Sequence, residues 1–224
     1  MQLVQLPANL PAMEQHPPSD FARLRRKPQR GAYDRATIHA IIDAATLCYI
    51  GHIIDGRPVV IPTFHWRYED RVYWHGSAAS RMLRANAAGG EVCLTVTLLD
   101  AWVLARTSFN HSANYRSVLC YGRPSLVEDA NEKLAAMKGF VERLFPGRWD
   151  RLRPPTAQEI KATSILSMPL TEASAKIRSG PPMDNDEDRS WPVWAGLLPV
   201  HLAGDPPIAD ADVVSGQEPP AMPA

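Results

Sequence analysis

The stretch "VYWHGSAASRMLRANAAGGEVCLTV", Val72–Val96, decides the fold. "VYWHG" is rich in aromatic and β-branched residues and reads as a strand. "SAASRMLRAN" opens on hydroxyl side chains and reads as a short helix. "EVCLTV" returns at once to a strand. The junction has a chemistry of its own. Serines 77 and 80 stand where the first backbone N–H groups of a helix are unpaired and the helix dipole favours an anion. Arg81 and Arg84 lie three apart on one side of that helix. A guanidinium can grip a phosphate with two parallel hydrogen bonds. Together these make a candidate phosphate seat. The plainer alternative is that Ser77 caps the helix and both arginines are solvated.

Working outward, Asp34 caps a predicted helix whose apolar Ile38, Ile41, Ile42 and Ala45 share one face. "LCYIGHII" is a strand, "DGRP" a turn and "VVIPTFHWRY" a second strand. "ED" turns the chain into a third, "RVYWHG". Beyond the opening stretch come strands at "EVCLTVTLL", "WVLART", "YRSVLCYG" and "PSLVED", with Gly122 as a candidate bend or bulge. A helix runs from about Asn131 to Phe145, with Leu134, Met137, Val141, Leu144 and Phe145 on one side. Pro146 and Gly147 stop it. A short helix at "TAQEIKA", a strand at "TSILSMPLTEASAKIR" and the segment "WPVWAGLLPV" finish the pattern. Many strands with few long crossovers predict a mostly β fold with flanking helices, an antiparallel barrel. A doubly wound parallel sheet would need a helix after nearly every strand and a glycine-rich phosphate turn, and neither is present.

Residues 1–30 are proline-rich and then basic ("RLRRKPQR"), an irregular N-terminal arm whose basic cluster could touch an anion, a solvated segment being the plainer reading. Residues 31–202 are expected to form the folded domain, and 203–224 a proline-rich, acidic C-terminal tail, either disordered or an arm lying on a partner subunit. The chain of 224 residues is 45% hydrophobic, and Lys+Arg and Asp+Glu both number 24. A net charge of zero argues against a general nucleic-acid binder. Cys48, Cys93 and Cys120 each sit in an apolar run without metal-ligand spacing, as reduced core thiols do. No run approaches ~20 apolar residues. A soluble, cytoplasmic protein that does not enter a membrane is expected.

A second polar cluster, "NHSANYRSV", leads into a strand carrying Arg116 and Ser117. Two arginine–serine clusters on adjacent barrel elements would suit a phosphorylated cofactor. His75 is read either as a group that bonds or tunes a ring cofactor or as a satisfied strand-end histidine. His52 and His65 fall on neighbouring strands, where haem ligation is conceivable; packing is the plainer reading. "PMDNDED", Met183–Asp188, alternates acids but lacks the glycine and distal glutamate of a calcium loop, and reads as an exposed loop.

In their order and spacing these motifs resemble the pyridoxamine-5′-phosphate-oxidase-like flavoproteins with the FMN-binding split-barrel fold. The similarity is greatest to the branch of nitroimidazole-resistance reductases and flavin-nucleotide-binding proteins. It rests on Asp34-Arg35, the hairpin from Asp55 to Pro62, and Tyr73, His75 and Ser77 at a strand end. Ser80-Arg81 and "NYRSV…GR" from Asn114 to Arg123 complete it, over roughly residues 20–200. The resemblance implies a six-stranded antiparallel split β-barrel with FMN as cofactor. It implies ring contacts at Pro62, Thr63 and Phe64. It implies phosphate contacts at His75, Ser77, Ser80 and Arg81, with Arg116 and Ser117 adding to them. It also implies a homodimer in which Trp194, Lys176 and Arg178 reach the partner's flavin. Pyridoxamine oxidases carry Arg-Lys where this chain has Arg81-Met82, and their late arginine–histidine pattern is missing. Both departures speak against pyridoxamine oxidation.

The expected function is therefore an FMN-dependent oxidoreductase. It would pass electrons from a small-molecule donor to a small acceptor such as a nitro compound, quinone or dioxygen. The flavin would do the redox chemistry, so no catalytic side chain and no metal is required. The alternatives are a flavin carrier or sensor without turnover, and a haem- or deazaflavin-binding relative on the same barrel.

Overall fold

In the computed structural model, which describes residues 17, 19–213 and 216–221, the chain enters its sheet through β1 (Gly31–Ala32). It then forms α1 (Arg35–Ala44), capped by the Asp34 carboxylate on the Thr37 N–H at 2.8 Å. Ile38, Ile41 and Ile42 of α1 are buried against the sheet, as their spacing predicts. β2 (Leu47–Ile54) and β3 (Arg57–Tyr68) follow as a hairpin turned by Asp55 and Gly56 alone. Both turn residues have positive φ, 50° and 73°, the backbone that matches strand twist in a two-residue hairpin. A second two-residue turn leads to β4 (Arg71–Ser77), and α2 (Arg81–Ala87) comes next.

β5 (Val92–Leu104) is one long strand where the sequence predicts two. Its register shifts between Leu99 and Ala101, so a bulge at Asp100 bends the strand without breaking it. β6 (Ser112–Gly122), β7 (Ser125–Leu126), α3 (Ala130–Leu144) and α4 (Ala157–Ala162) follow. The predicted strand "TSILSMPLTEASAKIR" is two strands, β8 (Thr163–Pro169) and β9 (Ala173–Arg178). β10 (Gly196–Pro199) closes the list and pairs with β5.

Every strand pair is antiparallel, in the order β1-β9-β6-β5-β2-β3-β4-β8-β7. β8 pairs with β4, and β9 with β6. Only Leu170, Thr171 and Glu172 separate β8 from β9, so the sheet curls back on itself. Gly122 lies at this closure. A Cβ there would stand 3.0 Å from the Met168 sulfur, so the residue serves close approach and not a bulge.

The strands alternate faces. Cys48, Ile50, Val72, Trp74, Leu94, Val96, Val118 and Ala175 point into one core beneath α1. Tyr73 and Trp66 point the other way, into a smaller core of Val127, Ala136 and Ile165 under α3. The buried face of α3 is carried by Ala136, with Met137 and Phe140 beside it, a rotation from the stripe predicted through Leu134 and Val141. Cys48 and Cys120 are free and buried, and burial pushes both thiols up to about 12.

The arm before β1 is tied down where it is described. The Ser19 hydroxyl donates to the Glu172 carboxylate, and the Leu24 N–H donates to the Tyr33 hydroxyl at 2.8 Å. The acidic stretch read as an exposed loop is corrected at Asp184. Its side chain is 3% exposed and accepts from the Arg106 N–H and guanidinium at 3.0 and 2.9 Å. Among the described residues no helix is long and apolar enough to cross a membrane.

Candidate functional site

Gly76 explains the strand–helix–strand unit of Val72–Val96. A Cβ at Gly76 would stand 3.0 Å from Leu83 Cδ1, so its absence lets α2 settle onto the end of β4. Ser80 caps α2, its hydroxyl accepting from the Leu83 N–H at 3.4 Å, and the Ser77 hydroxyl accepts from the Ala79 N–H at 3.2 Å. The predicted capping role therefore falls to Ser80 and not Ser77. Met82 is buried in the core, while Arg81 points outward. Its guanidinium donates to the Asp55 carboxylate at 2.6 Å, and both side chains are largely exposed. The tip of the β2–β3 hairpin is thus latched to the first residue of α2. An exposed pair of this kind is worth about 0–1 kcal/mol, so Arg81 can exchange Asp55 for another anion at little cost.

A second wall forms beside this junction. His75 is half-buried on β4, its ring centroid 4.5 Å from Phe140 and 5.8 Å from Trp66. Phe64 on β3 reaches the same Phe140 at 5.9 Å. Phe140 therefore brings the predicted ring-contact strand and His75 to one aromatic cluster. Pro62 is exposed and Thr63 half-buried on the same strand. Burial lowers the His75 pKa, keeping the imidazole neutral, and its Nδ1 is buried without a partner among the described residues.

His52 and His65 are more deeply buried. The Nδ1 of His52 lies 3.3 Å from the Ile50 carbonyl, and the Nε2 of His65 lies 3.0 Å from the Ile42 carbonyl. Burial lowers the His65 pKa most; the Ile42 carbonyl opposes this and Arg143 adds to it. The sign of the consequence follows directly. At His65 and His75 the unfolded chain takes up a proton near pH 6.5 and the folded chain resists doing so, so stability falls as pH drops below about 6.5. The slope is at most about 1.4 kcal/mol per pH unit for each histidine, with His75, the more exposed, giving less. Urea unfolding at pH 7.5 and 5.5 reads this above the carboxylate range. A His65→Gln variant with the same pH profile as wild type would remove His65 from the account.

The other predicted residues separate. Arg116 and Ser117 sit within β6 and not at its start, and adjacent strand residues face opposite sides. Arg116 shares its face with core Val118 and forks onto Asp100, with bonds of 2.7, 3.1 and 3.2 Å. The Ser117 hydroxyl faces the other way and donates to the Lys176 carbonyl at 3.3 Å. The single arginine–serine cluster expected there does not form. Arg178 is buried, donating to the Asn114 side chain and to the Gly180 carbonyl at 3.5 Å; burial lowers its pKa. Trp194 is 60% exposed with its ring against Gly196, and Trp191 is likewise exposed, so neither is a core residue. Sequence reasoning missed Asp55, Asp100 and Phe140. An acid at a hairpin tip and an aromatic residue four positions after a buried alanine were the available signals. Among the described residues no group of three or more His, Cys, Asp or Glu side chains converges on a metal site.

A curled, mostly antiparallel sheet with helices on its flanks matches the flavoprotein split-barrel class of fold. The chain belongs to the pyridoxamine 5′-phosphate oxidase family, whose model matches residues 34–177. It is 43% identical to the flavocytochrome Anf3 from Azotobacter vinelandii, with 91% of this chain and 94% of that one covered and a TM-score of 0.86. It is 32% identical to an FAD and haem binding protein from Mycobacterium smegmatis, covering 85% and 94% of the two chains at a TM-score of 0.81. A candidate 5-nitroimidazole antibiotic resistance protein from Bacteroides thetaiotaomicron shares the fold at 22% identity, 66% and 86% coverage and a TM-score of 0.54. The curated proteins gave no match.

Proposed function

We propose that this chain is a flavin- and haem-carrying redox protein, an oxidoreductase that moves electrons between a small donor and a small acceptor. The observation that carries this reading is the 43% identity to a flavocytochrome over 91% of the chain. The resemblance of the motifs implied FMN. The relative at 32% identity is an FAD and haem binding protein, and FAD with haem is the cofactor pair proposed for this chain.

The residues suit both groups. Ser77, Ser80 and Arg81 offer hydroxyl and guanidinium donors to a flavin phosphate, and Pro62 and Phe64 offer a largely apolar surface to its ring, while Thr63, paired with core Cys48, faces the other side of β3. His75 suits an iron ligand better than His52 or His65. It is neutral, half-buried and set among aromatic rings, whereas the other two are buried with one nitrogen on a backbone carbonyl. When bound, the flavin supplies hydride acceptance and the haem single-electron transfer. The protein's part is to orient both groups, exclude water with the Phe64–Phe140–Trp66 wall, and keep His75 unprotonated.

The same reading includes a homodimer. Leu47, Tyr49, Ile53, Val60 and Phe64 lie exposed on one face of the β2–β3 hairpin, where cross-strand pairing makes them contiguous. A patch of this kind is what an interface between copies covers. Trp194 and Lys176 would then reach the partner's flavin.

The absorbance spectrum of the purified full-length protein tests the cofactors. Flavin bands near ~450 nm together with a Soret band are expected, with FAD on chromatography of the released flavin. FMN alone would return the reading to the simpler flavoprotein, and a colourless protein would overturn it. Sedimentation should give a dimer that Val60→Glu weakens; a monomeric wild type would remove the dimer.

A further inference from the structure

We infer that the groove between the basic arm and the outer face of β6 and β9 binds a nucleotide bearing two or more phosphates. The groove has a volume of about 750 Å³, within the range of small-molecule sites. Arg23, Arg25, Arg26 and Lys176 line it, against one acid, Asp20, which is paired to Arg23 at 2.9 Å. The chain as a whole has no net charge, so this concentration of cations in one concavity is local. A concave wall of one sign focuses its field and raises the local concentration of counter-ions. Guanidinium groups are the side chains best matched to phosphate oxygens.

The groove is built by the fold. Ser19 is bonded to Glu172, Leu24 to Tyr33, and Ala22 is buried. Lys27 takes a left-handed backbone, φ 57°, turning the chain after the basic run. Lys176 rises from β9 on the face opposite the core residues Ala173 and Ala175. An aromatic pair completes the site. Phe21 lies edge-on to Tyr121 at 4.5 Å and remains 70% exposed, leaving a ring face open to a purine base.

Such a ligand has two sources, a free nucleotide or the adenosine diphosphate half of the bound FAD; in the second case both cofactor phosphates lie in this groove and not at Ser77, Ser80 and Arg81. The first does not depend on the flavin reading; the second rests on it. The experiment is calorimetric titration of the full-length protein as purified with ADP and with inorganic pyrophosphate, beside an Arg25→Glu/Arg26→Glu variant and Phe21→Ala. Both arginines and Phe21 are exposed, so the variants should fold. If the source is free nucleotide, ADP binds wild type and the double variant weakens it at least tenfold. Phe21→Ala then weakens ADP and spares pyrophosphate. If the source is the cofactor, ADP does not bind, and the double variant purifies with its FAD content reduced at least tenfold. ADP affinity and flavin content both unchanged in the double variant would overturn the proposal, as would a wild type that binds no ADP and holds no flavin.

Discussion

Trp74→Ala is expected to destabilise the protein by about 3–5 kcal/mol, the range for removing a buried tryptophan. For a chain of this size that corresponds to a fall in Tm of roughly 2–4 °C per kcal/mol. Trp74 heads the fully buried side chains and sits on β4 between His65 of β3 and Leu166 of β8. Both neighbouring strands are paired along their length, so they have little freedom to collapse into the void. Its Nε1 has no partner among the described residues, and such a buried donor costs about 1–3 kcal/mol. Trp74→Phe removes that donor and keeps most of the ring, so its cost is expected to stay within about 1–2 kcal/mol. Urea and thermal unfolding of the pair check this. Equal losses in both variants would mean that the indole nitrogen contributes to stability in the native state.

Arg81→Ala is expected to weaken flavin by about 2 kcal/mol, roughly thirtyfold in Kd. The figure stands at the lower end for a charged pair because the Arg81 side chain is 67% exposed. Asp55 gives the result a sign test. Its carboxylate holds the guanidinium that the phosphate would take. Asp55→Asn should therefore leave flavin binding intact or tighten it a few-fold, while Arg81→Ala loosens it. Fluorescence titration of flavin measures both. Parallel losses in the two variants would mean that the pair holds the hairpin in place and that the phosphate lies elsewhere.

The elements whose side chains report on their nearest neighbours were legible. The isoleucines of α1 repeat with the helix period, and Asp55-Gly56 dictates a two-residue turn, so the hairpin and the helix before it follow from local chemistry. The junction at Gly76–Ser80 was legible for the same reason. What escaped depends on residues far apart in the chain. Nothing near Leu170 signals that one apolar run divides its pairing between β4 and β6, because the partners that split it are distant in sequence. Arg116 and Asp100 meet only because β5 bulges opposite β6. Asp184, in an acidic run that reads as solvated, is buried because Arg106 comes to it. In the last two cases a charge was assigned to water or to a ligand when its partner was another side chain across the fold.

The division of residues 163–178 between two partner strands also sets the order of events during synthesis. While the ribosome has still to add this segment, β4 and β6 each carry an unpaired edge, together with the apolar faces that β8 and β9 will cover. The contacts that close the sheet join residues far apart in the chain, which makes them slow to form. A polypeptide released before Thr163 would present two open edges to its neighbours and is expected to aggregate.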